Sequence, residues 1–91
     1  MTELTNVEMF EKIQLEAFEL FKKKNADYGD AFEIFGPIGV IIRIFDKMNR
    51  LKTLSKDKIE IKTESIRDTL LDLHNYSAIC IMLLDKQGNL T

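Results

Sequence analysis

The sequence contains few residues that interrupt helices and almost none that cross-link chains. Its 91 residues include one proline, four glycines and one cysteine. The scarcity of proline and glycine favours helices. A single cysteine, Cys80, excludes a disulfide within the chain and fits a reducing compartment. Because Cys80 lies in an apolar stretch, we expect it to be an inert thiol in the core.

The sequence also lacks a strong charge of either sign and a long apolar run. Its formal net charge is −2, whereas nucleic-acid-binding domains usually carry a basic excess, so no nucleic acid partner is expected. Charged residues interrupt the apolar runs well short of the ~20 residues of a membrane span. The first residues carry acids where a signal peptide has a basic region. We therefore expect a cytoplasmic protein with no membrane partner.

Length and composition predict a single small domain, residues 1–91. The chain is 45% hydrophobic and 31% charged, which is typical of globular proteins. A chain this short buries only roughly 60–65% of its unfolded surface, so its own core is marginal.

Hydrophobic periodicity predicts three main helices, at about 6–24, 37–54 and 63–86. The first begins with a capping box formed by Thr5 and Glu8. Residues 25–36 are predicted to form an ordered loop, and residues 55–63 an exposed connection. On the second helix the predicted apolar stripe consists of Ile41, Ile44, Phe45, Met48 and Leu51. Its predicted polar side consists of Arg43, Asp46, Lys47 and Arg50.

The third helix carries apolar residues in nearly every direction between Leu70 and Leu84. Such a helix is buried on most sides, and two other helices of this size can hardly cover it. We therefore predict an all-α fold, a small bundle of three main helices completed by oligomerisation into a homodimer or a larger assembly.

Three carboxylates, Glu64, Asp68 and Asp72, are spaced four residues apart along this apolar helix. At 100° per residue they lie within an arc of about 80°, which also includes Asn75. Acids on a mostly buried helix repel one another and lose solvation, so they need cations. Those cations could be basic side chains of the second helix or Mg²⁺, which binds carboxylates, waters and substrate phosphates. The row therefore suits a magnesium–nucleotide site.

Each candidate residue also has a purely structural interpretation. Glu64 and Asp68 would stabilise the start of a helix through its dipole, although Asp72 lies too deep for that effect. Lys47 and Arg50 could bind phosphate oxygens, or they could form ion pairs that neutralise Asp68 and Asp72.

The loop offers a second cluster of candidates, formed by Lys24, Asp27, Tyr28 and Asp30. Tyr28 could stack on a base or bind a ribose, or it could be a core tyrosine. Asp27 and Asp30 could be turn formers only. His74 has no cysteine or second histidine with which to bind zinc, so we expect it to be packed or at an interface.

Three stretches resemble known families. "ESIRDTLLDLHNYSAI" is similar to the last metal-binding helix of the MazG-like, all-α NTP pyrophosphatases. "KNADYGDAF" and "GPIGVIIRIFDKMNRLKTL" look more like a small phage and bacterial branch, the nucleotide modification associated domain family. Its members share a K-x-x-D-Y-G-D-like loop, a D-K-x-N-R-like stretch and a D-x-x-x-D-x-x-N-Y ending. The resemblance covers roughly residues 20–84.

The resemblance implies an all-helical fold, assembly into dimers or larger, and Mg²⁺-supported binding of a nucleoside triphosphate, with Mn²⁺ as the alternative ion. MazG-like enzymes split the α–β phosphate bond to give a monophosphate and pyrophosphate. Glu64 and Asp68 would be catalytic. The implied metal ligands are Glu64, Asp68, Asp72 and Asp46. The implied substrate-binding residues are Lys47, Arg50, Asn75, Tyr28, Lys24 and Asp27.

The sequence departs from the MazG-like pattern on the second helix. Catalytic members carry Glu-x-x-Glu there, whereas this chain has Asp46 and Asn49 at those positions. A Glu-x-x-Glu does occur at Glu16 and Glu19, but on the first helix and on a face predicted to be solvated. With fewer acidic ligands than the MazG-like pattern, the site would bind a metal ion more weakly.

Three hypotheses follow. The first is a Mg²⁺-dependent (d)NTP pyrophosphohydrolase, in which the metal activates water and Lys47 and Arg50 neutralise the leaving pyrophosphate. The second is a protein that binds a nucleotide or cyclic nucleotide without turning it over. The third is a structural helical module whose charges pair internally.

Overall fold

The computed structural model is all-helical over the residues it describes, which are 3–28, 31–54 and 59–87; side chains are described for 3–26, 32–54 and 65–87. Helix α1 spans Asn6–Tyr28, α2 spans Gly36–Leu54 and α3 spans Ile59–Gln87. A short 3₁₀ helix, Ala31–Glu33, precedes α2. No strand occurs in the described ranges, so the prediction of three main helices is confirmed. None of the described helices is long and apolar enough to cross a lipid bilayer.

The N-terminus of α1 is capped as the sequence predicts. The Thr5 amide donates a 2.8 Å hydrogen bond to Glu8 Oε1, and the Glu8 amide donates one of 3.1 Å to Thr5 Oγ1. The hydrogen bond from the Thr5 backbone lowers the pKa of Glu8. This reciprocal pair satisfies amides that have no partner within the helix.

Two helices are longer than predicted. Helix α1 continues to Tyr28 rather than ending near residue 24, and α3 begins at Ile59 rather than at Thr63. In both places the sequence contains neither glycine nor proline, so no helix-breaking residue prevents the helix from extending. Of the predicted loops, residues 29–30 and 55–58 lie outside the described residues.

Helix α2 begins at a glycine in the left-handed conformation. Gly36 has φ +68°, which strains any residue with a Cβ atom. Pro37 follows at the first turn, where its missing N–H costs nothing and its fixed φ suits a helix. This pair turns the chain from the 3₁₀ segment into α2.

The face of α2 that packs against α3 differs from the predicted stripe. Val40 and Leu54 are buried, and the residues between them on the same face, Ile44, Lys47 and Leu51, are half-buried. The predicted stripe is wrong for Ile41, Phe45 and Met48, which are exposed. The apolar run at the start of α2 covers more than one face, so periodicity alone does not determine which face meets α3. Lys47, predicted on the polar side, therefore lies in the α2–α3 seam.

The core lies between α2 and α3. Its buried residues are Val40, Ile79, Cys80 and Leu83, and the residues packed around them are Phe21, Phe32, Ile44 and Tyr76. The Cys80 thiol is buried as predicted, with its sulfur 3.8 Å from the Pro37 carbonyl oxygen.

Helix α1 crosses α3 at Ala17. Arg67 donates two hydrogen bonds of 2.6 Å to Glu16, and the Asn75 amide donates one of 3.0 Å to the Ala17 carbonyl. Arg67 and Asn75 are about 12 Å apart along α3, yet they meet adjacent residues of α1, so the two helices cross. Ala17 is fully buried at this crossing. The face that carries Glu16, predicted to be solvated only, thus contacts α3.

Beyond the crossing, the N-terminal half of α1 leaves an apolar row uncovered. Val7, Phe10 and Ile13 are 77%, 64% and 40% exposed. Among the described residues, none covers this row. The radius of gyration is 15.3 Å, whereas a compact domain of this length has about 12 Å. A single chain therefore leaves much apolar surface in water.

Candidate functional site

A pocket of about 380 Å³ lies where the end of α1, the 3₁₀ segment, α2 and α3 meet. Its volume falls in the range of ~300–1,000 Å³ that is typical of small-molecule sites. The residues that line it are Phe21, Lys24, Asn25, Phe32, Ile34, Phe35, Gly39, Val40, Arg43, Asp72, Asn75, Tyr76 and Ile79.

One part of the pocket is aromatic. Four rings line it, from Phe21, Phe32, Phe35 and Tyr76. The rings of Phe32 and Tyr76 meet edge to face, with centroids 6.3 Å apart and planes at 73°. Such rings form an apolar wall that can hold a planar ligand.

Gly39 allows Phe35 to lie at this wall. A Cβ atom at residue 39 would come within 2.5 Å of Phe35 Cβ, which is closer than two carbon atoms can approach. Phe35 itself is 79% exposed. The ring of Phe35 therefore borders the pocket only because residue 39 has no side chain.

The polar part of the pocket centres on Asp72. Lys24 Nζ of α1 lies 3.0 Å from Asp72 Oδ1, and Lys47 Nζ of α2 lies 3.1 Å from Asp72 Oδ2. The Asp72 side chain is only 17% exposed. Arg43, one turn before Lys47 on α2, lines the same pocket.

The two lysines decide the charge state of Asp72. Burial alone would raise the pKa of this carboxyl, but the hydrogen bonds and positive charges of Lys24 and Lys47 together outweigh it. The pKa of Asp72 is therefore lowered, and the side chain is a carboxylate at neutral pH.

Asn75, predicted to bind substrate, holds α1 against α3. Its amide nitrogen donates to the Ala17 carbonyl, and its Oδ1 lies 3.1 Å from His74 Nδ1. One side of Asn75 still lines the pocket. His74 is exposed in the single chain, and not packed against the core.

The predicted magnesium ligands are not brought together among the described side chains. No group of three or more His, Cys, Asp or Glu residues in that part of the chain could hold a metal ion. Asp46 and Asp68 are exposed, and both oxygens of Asp72 accept hydrogen bonds from lysine ammonium groups. The described carboxylates, as they stand, therefore do not fit a Mg²⁺ site. The Glu64 side chain lies outside the described residues, so the four-ligand set stays a prediction.

The structure brings together some of the predicted substrate-binding residues. Lys24 and Lys47 contact Asp72, and Asn75 lines the same pocket, whereas Arg50 is exposed and takes no part in this network of described residues. Of the alternatives for the cations near Asp72, ion pairing with a basic side chain of the second helix is observed for Lys47. The side chains of Asp27 and Tyr28 lie outside the described residues.

Sequence reasoning missed several lining residues. Asn25, Arg43 and Tyr76 had no assigned role, although Tyr76 follows Asp72 by four residues and Arg43 precedes Lys47 by four. Residues four apart share a helix face, so this spacing was the available signal.

The chain has no significant match among curated proteins or among solved structures. A family match, to nucleotide modification associated domain 1, covers residues 24–84. That range begins at Lys24 and includes every pocket residue except Phe21. Because the match covers more than half of the 91 residues, this protein belongs to the nucleotide modification associated domain 1 family.

Proposed function

We propose that the protein binds a nucleotide in the pocket between α1, α2 and α3. The observation that carries this proposal is the mixed lining of one cavity, which combines four aromatic rings with the cationic side chains of Lys24 and Arg43. A base is planar and apolar on its faces, and a phosphate is anionic, so a nucleotide needs both linings.

Each kind of lining residue suits a different part of the ligand. The rings of Phe21, Phe32 and Tyr76 would contact the base. Arg43 would bind phosphate oxygens through its planar guanidinium, and Lys24 would contribute a compact positive charge. The match to a family whose description names nucleotide modification supports a nucleotide as the ligand. Asp27 and Tyr28, which follow Lys24 along α1, stay predicted contacts.

A thermal melt with each of the eight common (d)NTPs, with and without Mg²⁺ or Mn²⁺, tests the proposal. A ligand at 100 times its dissociation constant adds about 2.7 kcal/mol to the free energy of unfolding. For a domain of this size that gain raises Tm by roughly 10–20 °C. Arg43→Gln should reduce the rise, whereas Lys52→Gln, which removes one charge from an exposed position of α2 outside the pocket, should not. A protein whose Tm responds to none of the eight would contradict the proposal.

Hydrolysis of the bound triphosphate is the second candidate. Its support is the resemblance of the third helix to the metal-binding helix of MazG-like enzymes. Release of pyrophosphate in the presence of Mg²⁺ or Mn²⁺ would establish it, and Asp68→Asn should abolish that release. Binding without pyrophosphate release would instead establish a nucleotide-binding protein without this activity.

We also propose that the chain forms a homo-oligomer through the apolar row Val7, Phe10 and Ile13. The row lies on the helix face that Ala17 and Phe21 continue into the interior, and Gln14 is the polar residue between the row and Ala17 on this face. Phe10→Glu should lower the molar mass measured by sedimentation equilibrium to that of one 10.6 kDa chain. Lys12→Glu, on the polar side of α1, is the control and should leave the mass unchanged. A wild-type protein with the mass of one chain at every concentration would contradict the proposal.

A further inference from the structure

We propose that Asp72 competes with a ligand phosphate for Lys24 and Lys47, and that a phosphate-bearing ligand displaces it from both lysines. The inference rests on the proposed nucleotide site and specifies its ligand class. Lys24 and Lys47 would form a phosphate-binding pair, so the site would favour nucleotides over the corresponding nucleosides.

The geometry at Asp72 matches that of a bound phosphate. Two ammonium groups, one from α1 and one from α2, converge on the two oxygens of one carboxylate at 3.0 and 3.1 Å. A phosphate also presents two oxygens on one central atom, with a similar spacing between them. Because the Asp72 Cβ atom stays attached to α3, an incoming phosphate would bind beside the present position of the carboxylate. The flexible lysine side chains would turn toward it without a movement of α1 or α2.

The described lining of the pocket is more basic than acidic. Lys24 and Arg43 line it together with Asp72, the sole acid among the described lining residues, and Lys47 contacts Asp72 from α2. A di- or triphosphate carries more negative charge than one carboxylate, so it can compete for the lysines.

The contact can open because the lysines are partly exposed. Their side chains are 44% and 28% exposed, and ion pairs in such positions are weak. The Asp72 contact is also not the sole link between α1 and α3, since Glu16–Arg67 and Ala17–Asn75 join the same helices outside it. If Asp72 is released from the two lysines about one tenth of the time, removing its carboxylate strengthens phosphate binding about tenfold.

Isothermal titration of Asp72→Asn in the presence of EDTA tests the inference without any metal contribution. The probes are inorganic tripolyphosphate, the (d)NTP with the largest effect in the melt screen, and the corresponding nucleoside. Asp72→Asn should bind tripolyphosphate and the nucleotide about tenfold more tightly than the wild type. Its affinity for the nucleoside should be unchanged. Glu16→Gln, which removes a carboxylate that joins α1 to α3 outside the pocket, should behave as the wild type.

The remaining outcomes separate this inference from the proposed function. If the wild type binds a nucleotide but Asp72→Asn binds it equally or less tightly, the displacement inference is wrong and the nucleotide site stands. If neither protein binds any nucleotide, the proposed function fails. In that case the affinities of the two proteins for tripolyphosphate decide whether Lys24 and Lys47 form an anion site. Should Asp72→Asn not fold, Lys47→Gln provides the second test. It should weaken tripolyphosphate binding several-fold, and an unchanged affinity would overturn the inference.

Discussion

Replacing Ile79 with alanine is expected to lower the free energy of unfolding by about 2–4 kcal/mol. Ile79 is 5% exposed and packs in the core formed by Val40, Cys80 and Leu83. Its truncation removes buried apolar surface and leaves a cavity. Domains of this kind have total stabilities of only about 5–15 kcal/mol, so the loss is a large fraction. Denaturant unfolding followed by circular dichroism measures it.

The matched control is Ile81→Ala, two residues further along α3. Ile81 is 58% exposed, so its truncation should change the free energy of unfolding by less than about 0.5 kcal/mol. Equal losses for the two variants would contradict the described core. A large loss at Ile81 that appears only at high protein concentration would indicate that a second copy covers this position. Ile79 also lines the pocket, so Ile79→Ala should weaken nucleotide binding as well.

Replacing Asp72 with asparagine is expected to cost about 1 kcal/mol near neutral pH, because Lys24 and Lys47, although partly exposed, lose the charge that neutralises them. The pKa of Asp72 is lowered in the folded protein. Its contribution is therefore fully present above the ordinary carboxyl pKa of about 3.9, and it is lost as pH falls through the folded value. The difference in unfolding free energy between wild type and variant should be constant from about pH 5 to pH 8 and should shrink below about pH 4.

Urea unfolding of both proteins across this pH range measures the difference directly. The other carboxylates titrate in both proteins, so their contributions cancel in the subtraction. Asp85→Asn, at an exposed position near the end of α3, is the control and should have little effect at any pH. A difference that increases on acidification would show that burial dominates over the lysines, contrary to the ion-paired geometry.

The sequence predicts the number and order of the helices because the relevant signals are local. The capping pair of Thr5 and Glu8 and the turn at Gly36 and Pro37 act within a few residues. The face of α2 that meets α3 is not predictable in this way. Residues 38–45 are apolar on several sides, so the choice of Val40 and Ile44 over Ile41 and Phe45 depends on the shape of α3. Long-range packing of this kind leaves no periodic signal.

The candidate site was predictable only in its charges. The row of acids on α3 demanded cations, and Lys47 meets Asp72 as that argument required. The second cation, Lys24, was predicted as a substrate contact, because its partnership depends on the crossing of α1 over α3 at Ala17. The aromatic wall was missed for the same reason. Phe32 and Tyr76 are 44 positions apart in sequence and meet only in the folded chain.

The two linings of the pocket differ in how they are attached, and this difference bears on evolutionary divergence. Lys24, Lys47 and Asp72 project from long helices whose positions are fixed by the core. Phe32 and Phe35 belong to a short segment before α2, in which Glu33 forms an ion pair with Lys86 at the end of α3. Phe32 packs on the core, whereas Phe35 is exposed. Substitutions at Phe35 can therefore accumulate without disturbing the lysines. Related proteins could in this way exchange one preferred base for another while retaining the same lysine contacts to the phosphates.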